Sequence, residues 1–229
     1  MPLSVGGEDL ENVVVVTSRG GRAAGRVVFE DGAKPASASI RVSAMPIEQD
    51  LPFMGGVSSA GAGSNGAFEL KGLTGPRLFR VMNPPPGWKL KAVRLNGTDI
   101  TDTGVDLKSD ETVTGVEIVL TTRTSTLAGA VSGADGTPVS DYTVVVFAED
   151  PELWRLPQTR WVAAARPDQD GRFRLQDLPA GSYYAVALDY LPDGEWHDPE
   201  LLERLRVSAR RVVLEDNVQT LDLKLVESY

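Results

Sequence analysis

The strongest constraint on the fold of this 229-residue chain is that it repeats itself. Ala24-Gly25-Arg26-Val27 returns as Ala128-Gly129-Ala130-Val131, and Asp31-Gly32 returns as Asp135-Gly136, both 104 positions later. Gly66-Ala67-Phe68-Glu69-Leu70 returns as Gly171-Arg172-Phe173-Arg174-Leu175 after 105, and Val116, Ile118 and Leu120 return as Leu221, Leu223 and Leu225 at the same interval. A phase that slips by one residue across a whole copy marks two units of one design rather than scattered coincidences. Carried backwards, the match places Val14-Val15-Val16-Thr17-Ser18-Arg19 on Ile118-Val119-Leu120-Thr121-Thr122-Arg123. The expectation is therefore a segment of a longer array. Residues 1–22 hold the remnant last strand of a preceding unit (10–17) and a linker, and the two full units are 23–122 and 123–229.

Within a unit the apolar residues alternate. Ala24 to Phe29, Ser39 to Met45, Leu78 to Met82, Lys89 to Leu95 and Val113 to Thr121 carry the period-two pattern of half-buried strands. In the second unit, Tyr142 to Phe147 and Tyr183 to Leu188 are rich in β-branched and aromatic residues and lie between Gly, Pro and Asp turn signals. Strands at such spacing predict an all-β chain of two tandem seven-stranded, Ig-like or transthyretin-like sandwiches. Asp198-Pro199-Glu200-Leu201-Leu202-Glu203-Arg204-Leu205 has a capping residue, a proline at the first helical position and an apolar stripe, and predicts one short helix in the second unit. Glu48 to Ser64, with its Gly runs, reads as a long hairpin or loop.

Asp170-Gly171-Arg172-Phe173-Arg174-Leu175, Leu178-Pro179-Ala180-Gly181-Ser182-Tyr183 and Asp135-Gly136-Thr137-Pro138-Val139 resemble the carboxypeptidase regulatory-like domain family. The resemblance implies a transthyretin-like or Cna-B-like sandwich, a non-catalytic module, and a setting in long bacterial extracytoplasmic proteins. The first unit departs from the pattern: Asn65-Gly66 stands for Asp-Gly, and Gly72-Leu73-Thr74-Gly75-Pro76 lacks the corner and its Tyr. Some Cna-B-like sandwiches carry a Lys-to-Asn or Lys-to-Asp isopeptide bond, but Gly25 to Phe29 and Leu127 to Val131 contain no Lys, so none is expected.

Inventory removes several functions. With no Cys and one His, thiol catalysis, disulfides and zinc fingers are excluded. A net charge of −9 opposes binding to nucleic acid or anionic lipid. No run of apolar residues is long enough for a membrane span, and Met1 to Gly7 shows no export signal. His197-Asp198-Pro199-Glu200 has the His-x-x-Glu spacing of zinc carboxypeptidases, but the chain has no second His to complete such a site.

Two surfaces remain as candidates. Trp154, Trp161, Trp196 and Tyr190 concentrate in the second unit and form a possible platform for a glycan or protein, against the plainer reading that they pack in core and loops. Asp189, Asp193, Glu195 and Asp198 crowd one loop and form a possible cation site, against the plainer reading of a solvated acidic face. No cofactor and no catalytic residue is expected. The sequence points to a non-enzymatic spacer or interaction segment of a larger bacterial secreted or cell-envelope protein, with neighbouring domains of that protein as partners; the alternative is a glycan- or protein-binding module.

Overall fold

The computed structural model describes residues 19–32, 40–47, 58–156 and 159–227. The expected strand at 10–17 and most of the loop from Glu48 lie outside them.

The first half contains β1 (Gly21–Phe29), β2 (Arg41–Pro46), β3 (Ser58–Gly61), β4 (Ala67–Leu73), β5 (Gly75–Val81), β6 (Lys89–Leu95), β7 (Thr98–Asp99), β8 (Val105–Leu107) and β9 (Thr112–Thr121). They form a sheet in the order β4-β1-β9-β6-β7 and a second in the order β3-β2-β5-β8. In β4 the alternation is direct: Phe68 and Leu70 are buried, whereas Glu69 and Lys71 face water. Val27, Val42, Phe79, Val93 and Ile118 complete the same apolar cluster between the layers.

The second half contains β10 (Ser125–Ser132), β11 (Pro138–Val139), β12 (Thr143–Ala148), α1 (Pro151–Trp154), β13 (Val162–Ala165), β14 (Arg172–Leu178), β15 (Gly181–Leu188), α2 (Pro199–Leu205), β16 (Arg210–Leu214), β17 (Val218–Thr220) and β18 (Leu223–Val226). A separate cluster, from Leu127 to Leu223, is its core. Here β18 pairs in parallel with both β10 and β15, so the two layers join into one continuous sheet.

The halves share a frame. Pairing of β1 with β4 sets Ala23 opposite Leu70 and Gly25 opposite Phe68; pairing of β10 with β14 sets Leu127 opposite Leu175 and Gly129 opposite Phe173. Gly25 and Gly129 are required by a close approach of the last strand. A Cβ on Gly25 would lie 1.8 Å from the Val116 carbonyl oxygen, and one on Gly129 would lie 2.0 Å from that of Leu221.

The halves diverge where the first has β6 and β7. At that point the second has a 3-10 turn at Glu195–His197 and α2, whose Leu202 and Leu205 are buried in its core. Asp198 caps α2 as expected, its Oδ1 accepting from the Glu200 amide at 2.9 Å. The expectation of a single helix needs correction. Asp150-Pro151-Glu152-Leu153 repeats the Asp-Pro-Glu-Leu start of α2, and Asp150 caps α1 with the same bond to Glu152 at 3.0 Å. Every residue of β12 is buried, because its outward side is also covered: Phe147 meets Trp154 of α1 edge-on at 5.9 Å and lies beside Tyr184, over which Arg206 folds. Seven strands per half were expected. Among the described residues each half has nine, since β7, β8 and β11 are pieces of two or three residues and the last strand of the second half is split into β17 and β18.

The Leu-Pro-x-Gly-x-Tyr corner is a physical lock. The Tyr183 hydroxyl donates to the Pro179 carbonyl at 2.8 Å, and burial pushes its pKa far above the ordinary tyrosine value. Tyr142 adds a second tie, donating to the Gly171 carbonyl at 2.9 Å.

Candidate functional site

The aromatic residues singled out in the sequence do not form one open face. Trp154 is 3% exposed and belongs to the core. Trp196 is half-buried, packed on the same core with its ring beside that of His197. Trp161 stacks on Tyr183 at 5.9 Å and is drawn into the contact between the halves. Tyr190 alone of the four is largely exposed, at 67%.

The acidic residues each have local work. The Asp189 Oδ1 accepts from the Tyr190 amide, Asp193 faces Arg166 at 3.7 Å, and Asp198 caps α2, while Glu195 begins the 3-10 turn. Among the described residues no three His, Asp or Glu side chains gather closely enough to hold a metal ion, Asp189, Asp193, Glu195 and Asp198 included. His197 and Glu200 are both exposed.

The most organised polar constellation lies where the halves meet. Asp102, in the turn after β7, has a side chain only 11% exposed. It accepts from the Arg160 Nε at 2.9 and 3.1 Å and from the Trp161 indole N–H at 2.9 Å. Arg160 also donates to the Lys91 carbonyl at 3.1 Å. Arg80 approaches Asp102 at 4.0 Å from within the first half and donates to the Thr101 carbonyl at 2.8 Å. Burial lowers the pKa of the Arg80 guanidinium below its ordinary value, Asp102 acts against that shift, and Arg160 adds to it. One carboxylate thus lies between two cations from different halves, and Lys89 with Asp177 at 2.8 Å adds an exposed pair between the halves.

A second cluster fixes the connection. Glu30, in the 3-10 turn just after β1, accepts from Lys91 of β6 and Thr121 at the end of β9, and pairs with Arg123 of the connection at 3.2 Å. Hydrogen bonds from Lys91 and then Thr121 hold the Glu30 carboxyl below the usual glutamate range, outweighing its burial. Only three residues separate the end of β9 from the start of β10, and the first strand's own end clamps them.

At the far end of the second half an apolar groove of about 710 Å³ runs between β15, α2 and β18. Leu188, Leu191, Leu201, Leu205, Val226 and Tyr190 supply most of its wall.

Sequence reasoning missed Asp102 and Arg160. They are 58 positions apart, and neither sits in a motif. Trp161 enters the junction as an N–H donor, a role that its aromatic ring does not advertise in the sequence.

No protein-family model matches the sequence, and no curated protein does. Among solved structures the chain is similar to the Bacillus anthracis TIE protein, with 15% identity, a TM-score of 0.31 and coverage of 92% of this chain and 34% of that one. It is likewise similar to a Streptococcal ancillary pilin, with 17% identity, a TM-score of 0.35 and coverage of 88% and 61%. A third similar structure is the shaft pilin SpaA from Lactobacillus rhamnosus GG, with 12% identity, a TM-score of 0.32 and coverage of 93% and 98%. The chain spans about a third of the first and about six-tenths of the second. Among the described residues no helix is long and apolar enough to cross a membrane.

Proposed function

We propose that the chain is a non-catalytic spacer and interaction segment of a larger secreted or cell-envelope protein, built of two carboxypeptidase regulatory-like sandwiches at 23–122 and 123–229. The observation that carries this reading is the buried Asp102 bridge between the halves. A flexible string of modules needs no desolvated charge at its joints, whereas a spacer that sets a distance does, because each added contact across the joint removes bending freedom. The three-residue connection clamped by Glu30 acts in the same direction. The matching registers of the two halves support descent from one repeated unit. The extracytoplasmic setting rests on the family resemblance.

The test is a distance distribution between the halves. The chain has no Cys, so cysteines introduced at Lys71 on β4 and Glu203 on α2, both exposed, take labels uniquely. Pulsed electron resonance should give one narrow distance peak. A broad distribution spanning many separations would remove the spacer reading.

A further inference from the structure

We propose that β16 is a self-complementary edge along which two copies of this chain pair side by side, antiparallel and about a two-fold axis. This goes beyond the spacer reading and does not rest on it.

The edge is open and regular. β16 pairs along one side only, with β15, in an unbroken register that sets Leu214 opposite Gly181 and Arg210 opposite Ala185. Among the described residues its backbone makes no other hydrogen bond to backbone. Folded proteins commonly guard such an edge with a proline, a bulge or lysines. β16 has none of these, so its own charges decide what the edge accepts.

Those charges are arranged for self-pairing. The run Arg210-Arg211-Val212-Val213-Leu214-Glu215-Asp216 carries cations at one end, acids at the other and apolar residues between. Antiparallel pairing about a two-fold axis through Val213 sets each residue opposite the one equally far beyond Val213, on the same face of the joined sheet. Arg211 then meets the partner's Glu215, Arg210 meets the partner's Asp216, and Val213 meets the partner's Val213. Opposite charges placed directly across two strands stabilise the pairing, and the axis repeats each pair. Because side chains alternate between faces, the next register that keeps the faces matched lies two residues away. In either direction it sets both arginines opposite uncharged residues.

The side chains are placed for this contact. Val213 points away from the core and is 46% exposed, whereas Val212 and Leu214 are buried. Glu215 and Asp216 are exposed, and among the described residues neither has a hydrogen-bond or ion-pair partner. Glu149 holds Arg211 at 2.8 Å, yet the Arg211 side chain stays 56% exposed, open to a second carboxylate. Each copy carries −9, so copies repel at a distance. A contact between like copies must therefore bring its own opposite charges, and β16 brings them.

The experiment is sedimentation equilibrium of the full chain over a wide concentration range. Wild type should reach dimers and nothing larger, since a two-fold contact uses up the edge of both copies. Glu215→Arg sets arginine against arginine and should weaken dimers at least about tenfold. Arg211→Glu should do the same by setting glutamate against glutamate. Mixed, the two variants should recover dimers, because arginine then meets glutamate at both contacts. Crosslinking reads the register. The chain has no Cys, so Val213→Cys under mild oxidation should join two copies, the facing Cα atoms lying about 4.5–5.5 Å apart across the axis. Lys71→Cys, exposed on β4, should not crosslink. Val213→Cys leaves every charge in place, so it carries the test even if Arg211→Glu, which gives up its pair with Glu149, does not fold. A wild type that stays monomeric throughout, Glu215→Arg dimers as tight as wild type, a mixture of folded variants that stays monomeric, or Val213→Cys that crosslinks no faster than Lys71→Cys would overturn the proposal. The distance between the halves of one chain does not depend on these outcomes, so the pairing can fail while the spacer reading stands.

Discussion

Replacing Asp102 by Ala isolates the contribution of the joint. The side chain is 11% exposed and receives bonds from Arg160 and Trp161, while Arg80 faces it from the other side. Hydrogen bonds to a charged group contribute about 1.5–3 kcal/mol each, and removing one member of a buried ion pair costs about 3–5 kcal/mol. Arg160 is 26% exposed, and water reaching it reduces the penalty. The expected loss for Asp102→Ala is then about 2–4 kcal/mol. Asp102→Asn, which keeps an acceptor but removes the charge, should lose about half as much. Urea unfolding of Asp102→Ala, Arg160→Ala and the double variant gives the coupling directly, expected at about 1–3 kcal/mol. Because the joint ties two separate cores, the single variant should also split unfolding into two transitions. Additive effects of the two substitutions, or a loss below about 0.5 kcal/mol, would refute the reasoning.

Other outcomes follow from single contacts. Gly129→Ala should destabilise the second half by about 3 kcal/mol or more, since its new methyl meets the Leu221 carbonyl oxygen at 2.0 Å and backbone cannot step aside cheaply; calorimetry checks this. Glu30 is held below the ordinary glutamate range, so its contribution is complete above that range and fades as pH falls through the depressed value. The melting temperature of wild type should therefore fall more steeply on acidification than that of Glu30→Gln, and equal slopes would remove Glu30 from the account. Tyr183→Phe, which deletes the bond to the Pro179 carbonyl at 2.8 Å, should cost about 1 kcal/mol in urea unfolding.

The strands were legible because alternation is local. Lys89 to Leu95 was read from apolar spacing alone, and β6 occupies those residues. The helix at Pro199–Leu205 was legible for a similar reason, its cap and proline being adjacent. Its counterpart at Pro151–Trp154 follows the same Asp-Pro-Glu-Leu start but is not legible, because a single turn offers no apolar period. The joint was not legible. Asp102 gains its role from Arg160 and Trp161, which approach only after both halves have folded. Nor does an aromatic residue reveal its exposure in sequence: Trp154 and Tyr190 are alike in hydrophobic character, yet one is 3% and the other 67% exposed.

The two separately cored halves should tumble as one body. Residual dipolar couplings of backbone amides in both halves measure this, since a rigid pair shares one alignment tensor. One tensor should fit the amides of 21–121 and 125–226 together. Two tensors of different magnitude, each fitting only its own half, would contradict the account.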